Sequence, residues 1–158
     1  MPHILIIEDE PGTSWALAEG LADDGFTIDT FATAEEAWSW LQRGQSDLVI
    51  SDLRLPGMSG LEFARKLARS RHAQPVIVVT AYGNQDALRD LAAVGVSECF
   101  TKPFGMDALR RAVRRSLQRA AVRERLGGSG DRGEGGAKVR EGRFGVVQAA
   151  CTQAGVDA

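Results

Sequence analysis

The chain has 158 residues, 44% hydrophobic and 25% charged, with a formal net charge of −2. That is enough apolar material for one ordinary domain with a real core, and too balanced a charge to single out nucleic acid or a membrane surface. Cys99 and Cys151 lie far apart without metal-ligand spacing, and the apolar start ends at Glu8, too short for a signal peptide or a membrane span, so a soluble cytoplasmic protein is expected.

In chain order, His3 to Ile7 is a short apolar run with β-branched members and predicts a first strand, ending in the acids Glu8-Asp9-Glu10. Pro11-Gly12 marks a turn, and Thr13 or Ser14 is expected to cap a helix through about Asp24. Phe26 to Phe31 alternates as a second strand. Thr33 stands three residues before Glu36, a capping-box start for a helix to about Gln42. Leu48 to Ser51 predicts a third, buried strand that delivers Asp52 to a loop. Pro56-Gly57 turns that loop, and Ser59 caps a helix to about Arg69. Pro75 to Thr80 is a fourth strand and Asn84 to Ala93 a helix stopped by Gly95. Ser97 to Thr101 is a fifth strand, and a last helix runs from about Met106 to Leu126.

Five alternations of strand and helix with short connections predict a parallel sheet covered by helices on both faces. No GxGxxG follows the first strand, so a dinucleotide site has no support. After Leu126 the composition changes, and half of the 18 glycines fall from Gly127 onward. Residues 127–158 are expected to be a Gly-rich linker and a disordered tail, which divides the chain into a domain at 1–122 and a remainder at 123–158.

In such a sheet the carboxyl ends of the strands converge. The pocket they form would hold Glu8, Asp9 and Asp52, the Thr80 hydroxyl and the Lys102 ammonium. Two carboxylates about 4 Å apart repel by roughly 4 kcal/mol at an effective dielectric near 20. One lysine does not neutralise three, whereas a hard divalent cation such as Mg²⁺ suits carboxylate, carbonyl and water oxygens. Beside such a cation Asp52 is placed to act as a carboxylate nucleophile toward phosphorus, forming an acyl phosphate. Lys102 would pair with one phosphoryl oxygen and Thr80 would donate to another.

These segments resemble the receiver domain of two-component response regulators over about residues 1–120. Ile6-Ile7-Glu8-Asp9-Glu10 is similar to its acidic pair, and Asp52-Leu53-Arg54-Leu55-Pro56-Gly57-Met58-Ser59-Gly60 to the segment around its phospho-accepting aspartate. Thr80-Ala81-Tyr82-Gly83 is similar to its switch threonine segment, and Thr101-Lys102-Pro103-Phe104 to its lysine followed by a cis proline. The resemblance implies a flavodoxin-like sheet of five strands in the order 2-1-3-4-5. It implies Mg²⁺ held by Asp9, Asp52 and the Arg54 backbone carbonyl, with Glu8 acting through water. It also implies a sensor histidine kinase or phosphotransfer protein as phosphoryl donor, and a partner or homodimer surface on the fourth helix, fifth strand and fifth helix. Arg54 and Tyr82 would flank the path of the water that hydrolyses the acyl phosphate, and their bulk implies slow self-dephosphorylation.

One position departs from the family. The aromatic residue usual three before the lysine is Cys99 here, read as a packing residue, and alternation turns Phe100 to the other face. A haloacid-dehalogenase-like phosphatase is excluded because its second aspartate would fall at Arg54, which is no acid near neutral pH. The arginines from Arg110 to Arg125 are read as a solvated helix face, and no direct nucleic-acid contact is expected of this chain. Trp15 is expected to be covered, and one of Trp38 and Trp40 exposed. The expected role is a phosphorylation-controlled signalling module rather than an enzyme acting on an outside substrate. The alternatives are a DNA-binding regulator lacking its output domain and a phosphorylation-independent binding receiver.

Overall fold

The computed structural model describes residues 1–72, 74–81 and 84–127. The expectations for Tyr82 and for the chain beyond Gly127, Cys151 included, lie outside the described residues. The elements alternate throughout: β1 His3–Ile7, α1 Pro11–Ala22, β2 Thr27–Phe31, α2 Ala34–Leu41, β3 Leu48–Asp52, α3 Gly60–Ala68, β4 Val76–Thr80, α4 Gln85–Val94, β5 Glu98–Thr101 and α5 Met106–Gly127. The sheet has the order β2-β1-β3-β4-β5 and every pairing is parallel. This is the flavodoxin-like architecture expected from the sequence.

The three inner strands β1, β3 and β4 are largely apolar on both sides because both faces are covered there. Ile4, Ile6, Ile50, Ile77, Val79 and Phe100 point to one face and pack under Leu17 and Leu21 of α1 and Leu109, Ala112 and Val113 of α5. Leu5, Ile7, Val49, Val78 and Cys99 alternate to the other face and pack under Ala37 and Leu41 of α2, Phe63 and Leu67 of α3 and Leu91 of α4. Between β1 and β3 the chain connections leave in opposite directions, which opens a crevice at the carboxyl edge of the sheet.

Several local expectations are corrected. The α1 cap is Glu10, whose side chain accepts from the Thr13 N–H and hydroxyl; Pro11 opens the helix rather than preceding it. Proline suits the first helical position because its missing N–H would have had no partner there. The helix ends at Ala22, and β2, β4 and β5 each begin one residue later than expected. Trp15 is the exposed tryptophan, at 67%. Trp38 and Trp40 are both half-buried, because they lean to opposite flanks of α2: Trp38 onto Phe63 and His72, Trp40 onto His3 and Phe31. The α5 arginines are not uniformly solvated. Arg110 donates to the Gly20 carbonyl at 2.9 Å, Arg114 pairs with Asp24 at 3.0 Å, and Arg115 grips Glu98 of β5 through Nε and Nη2. Arg111, Arg119, Arg123 and Arg125 are exposed as expected. Among the described residues no helix is long and apolar enough to cross a membrane.

Candidate functional site

Four strands deliver chemistry to one edge. Glu8 and Asp9 follow β1, Asp52 ends β3, Thr80 ends β4 and Lys102 follows β5. Parallel register levels these ends: Ile7 lies beside Ser51, Asp52 beside Val79, and Thr80 beside Thr101. Glu8, Asp9 and Asp52 each offer an oxygen to one cluster whose atoms all lie within 4.8 Å of one another. Glu8 and Asp52 are buried, at 3% and 8% exposure, while Asp9 is exposed.

Lys102 joins the buried pair. Its ammonium donates at 2.9 Å to Glu8 Oε2 and at 2.9 Å to Asp52 Oδ2. Its backbone N–H donates to the Thr80 carbonyl at 2.8 Å, which seats the end of β5 on β4, and the Lys102–Pro103 bond is cis. Thr80 is buried at the neighbouring strand end. The Arg54 N–H donates to Asp52 Oδ1 at 3.2 Å, and the Arg54 side chain is exposed.

The electrostatics follow from burial and pairing. Burial lifts the Glu8 carboxyl above its ordinary value; the Lys102 hydrogen bond opposes the lift and the Asp52 charge adds to it. Burial pulls the Lys102 ammonium down, but its hydrogen bonds to Asp52 and Glu8 outweigh that and hold it above its ordinary value. With one ammonium against three carboxylates, two negative charges stay uncompensated. The donor set is all hard oxygen, already gathered and partly desolvated. It fits one divalent cation of the Mg²⁺ type.

Two residues that the sequence reading passed over shape this site. Gly60 opens α3 with its N–H on the Leu53 carbonyl at 2.9 Å, and a Cβ there would overlap the Asp52 carbonyl oxygen. Glu35, in the first turn of α2, accepts from the Met58 N–H at 2.6 Å. Gly60 sits in the quoted motif, so its signal was present. Glu35 lies 23 residues from Met58, and no local pattern announces that contact. Cys99 is buried in the core under α2 to α4, and Phe100 on the opposite face meets Phe104 at 5.9 Å between centroids. The aromatic position is thus filled by a thiol, and Phe100 does not replace it.

Comparison with known proteins decides the family. The response regulator receiver domain family matches residues 4–114. The chain belongs to that family. As a receiver domain it is 36% identical over 121 residues to the transcriptional regulatory protein TcrA of Mycobacterium tuberculosis, covering 76% of this chain and 47% of that protein. It is 35% identical over 122 residues to the phosphate regulon transcriptional regulatory protein PhoB of Rhizobium meliloti, covering 76% and 54%. The receiver thus spans about half the length of these two regulators. Among solved structures, a signal receiver domain from Vibrio parahaemolyticus, attributed to a Luxo repressor protein, superposes with a TM-score of 0.76 at 27% identity, covering 81% of this chain and 98% of that one.

Proposed function

We propose that this receiver accepts a phosphoryl group on Asp52 from a phosphohistidine of a sensor histidine kinase or phosphotransfer protein. The single observation that carries the reading is the Lys102 ammonium bridging two buried carboxylates, Glu8 and Asp52, at the carboxyl edge of the sheet. A carboxylate hydrogen-bonded to an ammonium, at the mouth of a crevice, is placed to attack phosphorus. The Asp52 oxygen forms the new P–O bond as the P–N bond to the donor imidazole breaks, and the imidazole nitrogen leaves with the electron pair. Lys102 is free to pair with a phosphoryl oxygen as the Asp52 charge moves outward, and the Thr80 hydroxyl is assigned to another oxygen. Glu8, Asp9, Asp52 and the Arg54 carbonyl are the groups that would hold Mg²⁺, which when bound supplies charge neutralisation for the phosphoryl oxygens. The receiver is assigned to residues 1–122, and residues 123–158 are read from their composition as the end of the last helix, a Gly-rich linker and a tail.

Loss of the Asp52–Lys102 pair and engagement of Thr80 at the end of β4 would alter the surface of α4, β5 and α5, where a protein partner or a second copy would bind. That role needs no outside substrate, so the chain is a signalling module and not an enzyme in the usual sense, and it works in the cytoplasm where such kinases present their phosphohistidine. A second reading is favoured by the relatives: two regulators called transcriptional match over about half their length. On that reading the same switch governs a DNA-binding output joined to the receiver.

The test is intact mass after incubation with Mg²⁺ and acetyl phosphate, wild type beside Asp52→Ala. One added phosphoryl group on wild type alone is expected. No addition to wild type while Mg²⁺ still binds would overturn the phosphorylation reading in favour of a phosphorylation-independent binding receiver.

A further inference from the structure

The loop from Leu53 to Ser59 carries Arg54, two residues after Asp52. Its base is closed by the Gly60 N–H on the Leu53 carbonyl at 2.9 Å, and its inner side by the Arg54 N–H on Asp52 Oδ1 at 3.2 Å. Its far side is tied to a different element. The Met58 N–H donates to Glu35 Oε1 at 2.6 Å, a charge-assisted bond to the first turn of α2. Gly57 makes that bond possible. Its φ of +75° turns the following N–H toward α2, and a Cβ there would overlap the same Glu35 oxygen.

The bond draws on the ionised form of Glu35. The Met58 N–H holds its carboxyl below the ordinary carboxylate range, with a smaller pull from Lys66 on α3. Glu36, one residue on, carries the same charge in the same turn without a loop contact; its backbone N–H serves the Thr33 cap. Two acids therefore meet the requirement of the helix N-terminus, and one of them does something more.

We infer that Glu35 is a positioning residue for the acceptor site: by anchoring the β3–α3 loop to α2 it holds the Arg54 backbone in place beside Asp52 and so sets the affinity for the divalent cation. The inference rests on the proposed phosphoryl-acceptor reading. A loop that has lost its outer tie to α2 leaves the Arg54 carbonyl to be ordered further when the cation binds, and that ordering cost appears as weaker binding.

The experiment uses the full chain and Mg²⁺ alone, titrated by calorimetry, followed by acetyl phosphate at limiting and at saturating Mg²⁺. Glu35→Ala is expected to raise the Mg²⁺ Kd about three- to tenfold. Its phosphorylation should be slow at limiting Mg²⁺ and recover at saturation. Glu35→Gln, which keeps an acceptor oxygen, should recover most of the affinity. Glu36→Ala should leave the Kd unchanged. Gly57→Ala, which breaks the contact from the loop side, should weaken binding alike and add little to Glu35→Ala in the double variant. An unchanged Kd in Glu35→Ala and Gly57→Ala, or an equal loss in Glu36→Ala, would overturn the inference. A wild type that binds no Mg²⁺ and takes no phosphoryl group would instead overturn the acceptor reading beneath it.

Discussion

Lys102 brings one positive charge to a pocket of three negative ones, and the two buried acids depend on it. The balance makes a sign prediction for Asp52. Asp52→Asn removes one of the repelling charges and leaves Lys102 with Glu8. In chelator, without Mg²⁺, it is expected to melt higher than wild type, by on the order of 1 kcal/mol or a few degrees. A lower melting temperature would mean that the Lys102 pair outweighs the repulsion. Glu8 supplies a pH test. Burial, partly offset by Lys102, lifts its carboxyl in the folded state above the unfolded value. The unfolded chain then gives up this proton first, so the penalty is full above the folded value and vanishes as pH falls to the ordinary carboxylate range. Metal-free wild type should therefore gain stability relative to Glu8→Gln as pH is lowered through that window, read by thermal unfolding of both across pH.

Among the elements, the turn from β3 into α3 is the most constrained. Gly60 lies so close to the Asp52 carbonyl that any side chain must push backbone against backbone. Gly60→Ala is expected to cost about 1–3 kcal/mol in chemical denaturation and to weaken Mg²⁺ binding as Asp52 shifts. Elements of this kind show what a sequence displays and what it conceals. The strands were legible because three apolar runs, one alternating segment and one short mixed segment were each bounded by polar residues or a turn. The meeting of Glu8, Asp52 and Lys102 was legible because parallel strands bring their carboxyl ends to one edge. The α1 start was misjudged because Pro11-Gly12 reads as a turn, while Glu10 took the cap from three residues upstream of Thr13. The placements of Trp38 and Trp40 were hidden because both flanks of a helix that packs on a sheet and on a neighbouring helix are covered. The Glu35–Met58 bond was hidden because it depends on how two connections pass each other in space, not on any local pattern.

At the scale of the whole molecule, a ligand that binds only the folded chain raises its stability by mass action. Mg²⁺ at about one hundred times its Kd should add about 2.7 kcal/mol. The resulting rise in melting temperature should disappear in Asp9→Asn and return to the metal-free value when chelator is added. The contacts that would be stabilised join distant parts of the chain. Lys102 reaches Glu8 across 94 positions and Asp52 across 50. The site therefore closes late in synthesis: a nascent chain that has exposed its first three strands carries Glu8, Asp9 and Asp52, but not yet the ammonium that joins them. Until β5 leaves the ribosome and docks, Asp52 lacks its ion pair with Lys102. On the phosphoryl-acceptor reading proposed above, a half-made copy would lack the lysine that meets the incoming phosphoryl group, so its phosphorylation waits on the docking of β5.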